Sequence, residues 1–148
     1  MCGKKVYFSP IIDLFDGTII AATHAFHPTT TFTATSLAQA IAKEKPQPGL
    51  IVHTDQGIHY QHVSWRNQLD HIGAIQSMSR KGNCYDNSLA ENFFSHLKTE
   101  FYHPGSFTSV QDFLDQLDQY NTWYNNNRIQ ERLKGLTPIE YRNQALAA

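Results

Sequence analysis

The segment LIVHTDQG (50–57) decides the fold, because it joins a short apolar run directly to an acidic turn. The run at 50–53 is typical of a buried strand in a sheet that is covered on both faces. Asp55 follows it at the strand end where open α/β sheets place their ligands. Asp and Gly also favour turns for backbone reasons, so 55–57 considered alone predicts either a ligand site or a plain turn.

Strands and helices alternate on both sides of this segment. Asp16-Gly17 marks a hairpin turn, and Thr137-Pro138-Ile139-Glu140 is a capping box that opens a last helix. The alternation between residues 18 and 102 predicts a mixed α/β fold with a partly parallel sheet. The sequence predicts strands at 5–12, 18–26, 50–53 and 74–78, helices at 31–45, 62–72, 88–102, 109–125 and 137–145, and a loop at 79–87.

Composition narrows the class of protein. The length of 148 residues favours one domain, and 41% hydrophobic with 17% charged residues argues against disorder. Twelve basic and thirteen acidic residues give a net charge of −1, so a nucleic-acid partner must be argued from local sites. Cys2 and Cys84 are far apart, which indicates a reduced, cytoplasmic protein, and no apolar run is long enough to span a membrane.

A second acidic residue, Glu91, follows Asp55 after thirty-five intervening residues, and Lys98 follows Glu91 by seven. At helical spacing Asn87, Glu91 and Lys98 share one face, and the apolar side chains of the segment fall on another. Glu91 is therefore predicted to lie beside the buried stripe. Without further context this pattern is also what an ordinary solvated helix face shows.

The spacing resembles the second half of the D…D-35-E signature, with its trailing basic residue, found in retroviral integrases and related transposases. The surrounding sequence resembles the OrfB transposase of the insertion-sequence-3 family, and the similar blocks cover essentially the whole chain. The resemblance implies an RNase H-like mixed sheet flanked by helices and the catalytic core of a DDE transposase, with its C-terminal helices from about residue 107. The blocks are GKKVYFSPIIDLFDGTIIA (3–21), HTDQGIHYQ (53–61), QSMSRKGNCYDNSLAENFFSHLKTE (76–100) and YNNNRIQERLKGLTPIEYR (124–142).

The resemblance also implies the site and its partners. Asp55 and Glu91 are expected to be catalytic metal ligands for Mg²⁺, or Mn²⁺ as a substitute, because phosphoryl transfer on DNA needs converging hard-oxygen ligands. The expected partners are transposon-end and target DNA, further copies of the chain, and an upstream helix-turn-helix protein or domain. A bacterial cytoplasmic location is expected, with nucleoid association when active. The expected DNA-binding residues are Lys98, Arg80, Lys81, Asn87 and Arg128.

The family signature has a third acid, on a strand that precedes the segment matching residues 3–21. We expect this central strand and its aspartate to be missing from the chain, which starts at Met1, and the sheet to be rearranged or completed by a partner. Asp13 and Asp16 are alternatives for the missing acid, although Asp16 fits the hairpin turn better. The chain is expected to be incompetent alone; the rival hypothesis is a non-catalytic remnant that binds DNA or oligomerises.

Other polar groups leave alternatives open. His59 and His62 have a spacing seen in zinc sites, but without further ligands they are weak evidence for one. His53 either borders the site or packs in the core. The basic residues around Arg128 predict either a solvated face or a DNA contact. The remaining members of that stretch are Arg132, Lys134 and Arg142, and the acidic helix face expected to repel DNA consists of Asp112, Asp115 and Asp118.

Overall fold

The structure is a computed structural model that describes residues 4–78 and 88–148. The chain divides into two compact units, which are discontinuous in sequence. The N-terminal unit comprises Lys4–Ile11 and Ile20–Ser88, and the C-terminal unit contains Ile12–Ile19 and Leu89–Ala148. The hairpin tip therefore belongs to one unit and the hairpin legs to the other.

The first part of the chain forms the predicted alternation of strands and helices. It contains β1 (Tyr7–Ile12), β2 (Ile19–Ala25), α1 (Thr30–Glu44), β3 (Ile51–Thr54), a 3₁₀ turn (Ile58–Gln61), α2 (Val63–His71) and β4 (Ile75–Met78). The strands β3 and β4 pair in parallel, with Ile51 opposite Ile75 and Thr54 opposite Met78. This confirms the predicted partly parallel arrangement. The 3₁₀ turn before α2 was not predicted.

The core of the N-terminal unit is a cluster of Leu37 from α1 with Trp65 and Leu69 from α2. Each is at most 2% exposed, and full burial of such a side chain contributes roughly 1.5–3 kcal/mol. Ile11 of β1 and Val52 of β3 both pack against this cluster. The two strand pairs thus share one helical layer.

No ladder joins these two strand pairs within residues 4–78 and 88–148. The strands β1 and β2 pair with each other, β3 pairs with β4, and each pair is a separate two-stranded sheet. A two-stranded sheet is marginal by itself, so the shared helical layer must supply much of its stability. The gap agrees with the expectation of an incomplete central sheet.

The strand β3 differs from the sequence prediction in its burial. Ile51 and its partner Ile75 are 62% and 57% exposed, whereas Val52 is half-buried against the core. Side chains alternate along a strand, so the helices α1 and α2 can cover only one face. The continuous apolar run predicted two covered faces, but Ile51 of β3 and its partner Ile75 of β4 are exposed on the second face.

The C-terminal unit is helical. The helix α3 (Ser88–His96) runs into a π-helical turn (Leu97–Tyr102) and is followed by α4 (Val110–Asn126), a 3₁₀ turn (Glu131–Leu133) and α5 (Pro138–Ala147). The predicted capping box is present: the Thr137 hydroxyl accepts the Glu140 N–H, and the Glu140 carboxylate accepts the Thr137 N–H. No helix in the described part of the chain is long and apolar enough to cross a membrane.

Two polar side chains of the helices hold the hairpin tip. Asn125 pairs with both backbone groups of Ile19, at 2.8 Å to its N–H and 2.9 Å to its carbonyl. Arg142 bonds Asp13 at 2.8 Å and Asp16 at 2.7 Å. Asp16 is only 1% exposed, and a buried carboxylate requires such a partner.

Candidate active site

Asp55 lies directly after β3, with its side chain exposed. Its Oδ1 accepts the N–H of Gly57 at 2.7 Å, and the Gly57 carbonyl accepts the N–H of Tyr60 at 3.0 Å. The turn predicted by the sequence is therefore present, and it also fixes the direction of the carboxylate. The interpretations of 55–57 as a turn and as a ligand site are compatible.

This turn requires glycine at position 57, because two side chains lie close to the position that a Cβ would occupy there. A Cβ at Gly57 would lie 2.8 Å from Oδ1 of Asp55 and 3.3 Å from Cδ2 of Tyr60. The carboxylate and the aromatic ring thus flank a single point, which only glycine leaves empty. Any larger residue would have to displace one of these two groups.

Tyr60 joins this turn to the core. Its ring meets Trp65 edge-on, with centroids 4.9 Å apart. Its backbone carbonyl accepts a hydrogen bond from Nε2 of Gln76 at 2.8 Å. Burial raises the pKa of the Tyr60 phenol, the Asp55 carboxylate raises it further, and a hydrogen bond with Ser9 opposes both effects. The phenol is therefore neutral beside the carboxylate at neutral pH.

His53 precedes Asp55 by two residues in the same strand. Its Nδ1 lies 3.0 Å from the hydroxyl of Ser77, its register partner on β4. The side chain is half-buried, so it borders the strand end and also contributes to the ladder. The choice between bordering the site and packing in the core stays a prediction.

Glu91 is exposed in the first turn of α3, where a negative charge interacts favourably with the helix dipole. Two residues later, Phe93 is 2% exposed and meets Tyr124 edge-on, with centroids 5.1 Å apart. The buried ring fixes the rotation of α3, so that Glu91 lies beside the apolar stripe. This placement is the one that helical spacing predicted.

Lys98 is exposed on the π-helical turn. The carbonyl of Lys98 accepts the N–H of His103 at 2.8 Å, which is the i→i+5 bond of a π turn. Such turns are rare and often occur at functional sites.

Arg128 makes contacts that the sequence did not indicate. Its Nε and Nη2 both bond the carboxylate of Glu100, and Nη2 also lies 3.1 Å from Nδ1 of His96. Its guanidinium carbon is 5.5 Å from the ring centre of Tyr124. The residues are 28 apart in sequence, and no motif links them. Much of the charge of Arg128 is therefore balanced within the protein.

Ionisation in this cluster follows from its contacts. The hydrogen bond from Arg128 holds the pKa of Glu100 below its usual range. Burial, supported by the hydrogen bond to Glu100, raises the pKa of Tyr120. Burial and the charge of Arg128 lower the pKa of His96. The cluster therefore favours a charged Glu100–Arg128 pair with neutral neighbours.

The other candidate residues separate into two groups. Arg80, Lys81 and Asn87 lie outside the described residues, as does the loop at 79–87. Asp13 and Asp16 are both bound by Arg142, which argues against either as the third acid.

The acidic donors suit a hard divalent cation. Carboxylate oxygens are the ligands that Mg²⁺ prefers, and the exposure of Asp55 and Glu91 leaves both accessible to a hydrated ion. Asp55 belongs to the N-terminal unit and Glu91 to the C-terminal unit, and their convergence stays a prediction. Within 4–78 and 88–148, no three His, Cys, Asp or Glu side chains form a group that could hold a metal ion.

Sequence comparisons give consistent matches. A family model described as integrase core domain matches residues 1–84, and a second with the same description matches residues 91–146. The chain is 42% identical over 142 residues to the protein assigned as transposase InsK of insertion sequence element IS150 in Escherichia coli strain K12. It is 44% identical over 143 residues to a transposase-like protein of Haemophilus influenzae. These matches cover 96% of this chain but 50% and 65% of the relatives.

Solved structures with a similar fold are retroviral integrase cores. The catalytic core domain of BIV integrase matches with a TM-score of 0.71 and 17% identity, covering 97% of this chain and 90% of that one. The HTLV-2 integrase catalytic core domain, in complex with magnesium and in a trimeric form, matches with a TM-score of 0.66 and 14% identity. That match covers 93% of this chain and 91% of the integrase chain. The similarity confirms the predicted RNase H-like fold.

Proposed function

Because this chain belongs to the integrase core domain family, as a core of the insertion-sequence-3 transposase type, we propose that it serves DNA cleavage and strand transfer in transposition. The observation that carries the proposal is the exposed Asp55 at the tip of β3, held by its own turn, in a chain whose family match spans it. The reaction is hydrolysis of a phosphodiester at a transposon end, followed by attack of the freed 3′-hydroxyl on another strand.

The chain's own residues have distinct roles in this proposal. Asp55 and Glu91 would hold Mg²⁺, for which Mn²⁺ can substitute. When bound, the metal activates the attacking oxygen and stabilises the leaving oxygen. Gly57 donates its N–H to one oxygen of Asp55 and thereby orients the carboxylate before any cation arrives. Phe93 does the same for Glu91 by fixing the rotation of α3.

DNA contacts are proposed at the basic and polar residues around Glu91. Lys98 is exposed and would contact phosphate as a point charge. Arg80, Lys81 and Asn87 precede α3 in sequence and are proposed as further DNA contacts. Arg128 would contact DNA only with the part of its guanidinium that Glu100 does not occupy. A net charge of −1 predicts weak and strongly salt-dependent DNA binding for the chain by itself.

We also propose that the third acid of the signature is supplied from outside residues 4–148 and that this chain alone is inactive. Two observations support this: Arg142 already binds Asp13 and Asp16, and the two small sheets are not joined within the described residues. An oligomer of the chain, acting with a helix-turn-helix protein or domain, would complete the assembly on DNA. Such an assembly would associate with the bacterial nucleoid.

The test is a nicking and strand-transfer assay on duplex DNA that carries the ends of the element encoding this chain, with Mg²⁺ or Mn²⁺. We expect no product from residues 1–148 alone and product when the preceding in-frame codons are restored. In that longer protein, Asp55→Asn and Glu91→Gln should abolish product. The matched control Asp118→Asn, an exposed carboxylate on α4, should retain it.

The outcomes separate the rival functions. Absence of product from the extended protein would favour a non-catalytic remnant that binds DNA or oligomerises. Equal cleavage of any RNA–DNA hybrid, with no preference for the element ends, would indicate a general RNase H-like nuclease.

A further inference from the structure

Two glutamine side chains hold the ends of the turn that follows β3. At its start, Nε2 of Gln61 donates to the backbone carbonyl of Gln56 at 2.8 Å. At its end, Nε2 of Gln76 donates to the backbone carbonyl of Tyr60 at 2.8 Å. Between these points the Tyr60 N–H donates to the Gly57 carbonyl at 3.0 Å. The turn is therefore bonded at its start, in its middle and at its end.

The bond from Gln61 acts on the peptide group that holds Asp55. The Gln56 carbonyl and the Gly57 N–H belong to one peptide group, and this N–H donates to Oδ1 of Asp55 at 2.7 Å. A hydrogen bond accepted by the carbonyl of a peptide group polarises that group and makes its N–H a stronger donor. Gln61 therefore strengthens, through this peptide group, the bond that orients the carboxylate.

Gln76 connects the same turn to the sheet. It lies on β4 opposite Val52, and register partners on neighbouring strands project from the same face of a sheet. Val52 packs against the core cluster, so the half-buried Gln76 is a polar residue on the covered face of β4. Such an amide needs a hydrogen-bond partner, and the Tyr60 carbonyl is one. Three consecutive hydrogen bonds thus lead from Gln76, through Tyr60 and Gly57, to Oδ1 of Asp55.

The geometry points to Gln61 and Gln76 as positioning residues for Asp55, and this inference rests on the metal-binding role proposed above for that carboxylate. Asp55 is exposed, so its direction is set by the Gly57 N–H and not by packing. Gln61 strengthens that donor, and Gln76 fixes the turn that carries it. Both glutamine bonds end on backbone carbonyls, so they leave the remaining lone pairs of the carboxylate to a cation.

The test compares Gln61→Met and Gln76→Met in the full chain by NMR. Methionine is also unbranched, with three rotatable bonds, but it has no N–H to donate. We expect the Gly57 amide proton to move upfield in both variants, because its bond to Asp55 weakens. Exchange of this amide should become roughly two- to fourfold faster, since only a fraction of one charge-assisted hydrogen bond is lost.

Gln68→Met is the matched control. Nε2 of Gln68 also donates to a backbone carbonyl, that of Ala34 at 3.1 Å, but this bond joins α2 to α1 and does not end on the Asp55 turn. We expect this variant to lose stability in urea to a similar extent and to keep the Gly57 amide shift of the wild type. An equal Gly57 shift in all three variants would overturn the inference, because it would indicate general loosening.

A second readout uses Mn²⁺ alone as the probe, titrated against the chain and followed by line broadening at Gly57. We expect Gln61→Met and Gln76→Met to weaken binding roughly two- to fourfold, Gln68→Met to leave it unchanged and Asp55→Asn to abolish it. A Gly57 shift that stays as in wild type in both turn variants would overturn the inference, since a role in stability alone predicts that result. Broadening that survives Asp55→Asn would instead refute the proposed metal site, and the Gly57 shift would still decide the role of the two glutamines.

Discussion

Replacing Arg128 with alanine should destabilise the C-terminal unit measurably. The side chain is 17% exposed and holds Glu100 through two nitrogens, and Glu100 also accepts the Tyr120 hydroxyl at 3.0 Å. The substitution removes this two-nitrogen ion pair and the contact with the Tyr124 ring. It leaves Glu100 without its cation.

The expected loss is about 2 kcal/mol in the free energy of unfolding. A hydrogen bond to a charged group contributes roughly 1.5–3 kcal/mol and a cation–π contact about 0.5–1 kcal/mol at a partly exposed site. Glu100 is 30% exposed, so solvent screening reduces the sum toward the lower end. For a chain of this length the loss corresponds to a fall of roughly 4–8 °C in Tm.

The loss of stability caused by Arg128→Ala should become smaller as the pH decreases. The pKa of Glu100 in the folded protein is below its usual value because of the bond from Arg128. The pair therefore contributes fully above the ordinary carboxyl pKa, and its contribution is lost as the pH falls through the folded pKa. The difference between wild type and variant should shrink in that acidic range.

Urea denaturation followed by tryptophan fluorescence measures this loss. A double-mutant cycle with Glu100→Gln isolates the pair, and the coupling energy should be at least about 1 kcal/mol at pH 7. Arg66→Ala, at an exposed arginine on α2, is the matched control and should change stability by no more than about 0.5 kcal/mol. A coupling energy near zero would refute the assignment of Arg128 to this cluster.

Three further predictions concern single residues. Lys98→Ala should lower the slope of log Kd against log salt concentration for DNA binding by about one. Because Lys98 is exposed, the substitution should not change Tm. An unchanged slope would argue against a phosphate contact. Arg142→Ala should cost about 3–5 kcal/mol in urea unfolding because it leaves the buried Asp16 unpaired, and a loss below about 1 kcal/mol would contradict that role. His96→Gln should flatten the pH dependence of stability below pH ~6.5. Burial and the charge of Arg128 lower the pKa of His96 in the folded protein, so the unfolded wild type takes up a proton first as the pH decreases. The stability of the wild type therefore decreases as the pH decreases, and that of the variant should decrease less.

Local patterns predicted the elements well because each rests on nearby residues. The capping box at Thr137 and Glu140 is closed as expected. Glu91 lies beside the buried stripe because Phe93, two positions away, must turn inward. In both cases the residues that determine the structure lie on the same helix as the motif or pack directly against it.

Features that depend on distant contacts were not predictable. The apolar run at 50–53 is compatible with one covered face or two. Only the packing of α1 and α2 decides that Val52 is covered and Ile51 is exposed. The partner of Arg128 is 28 residues away, and Asn125 and Ile19, which hydrogen-bond each other, are 106 residues apart. Pairings of this kind depend on the folded arrangement of the elements, which spacing does not encode.

The hairpin tip has a consequence for how the gene can be divided. Residues Ile12–Ile19 belong to the same compact unit as Leu89–Ala148, although about seventy codons lie between the two segments. A fragment beginning at residue 89 would carry Asn125 and Arg142 but neither Ile19 nor Asp16, to which they bind. Domain shuffling or split expression at that junction should therefore yield a poorly folded C-terminal half, and co-expression of a peptide spanning 12–19 should rescue it.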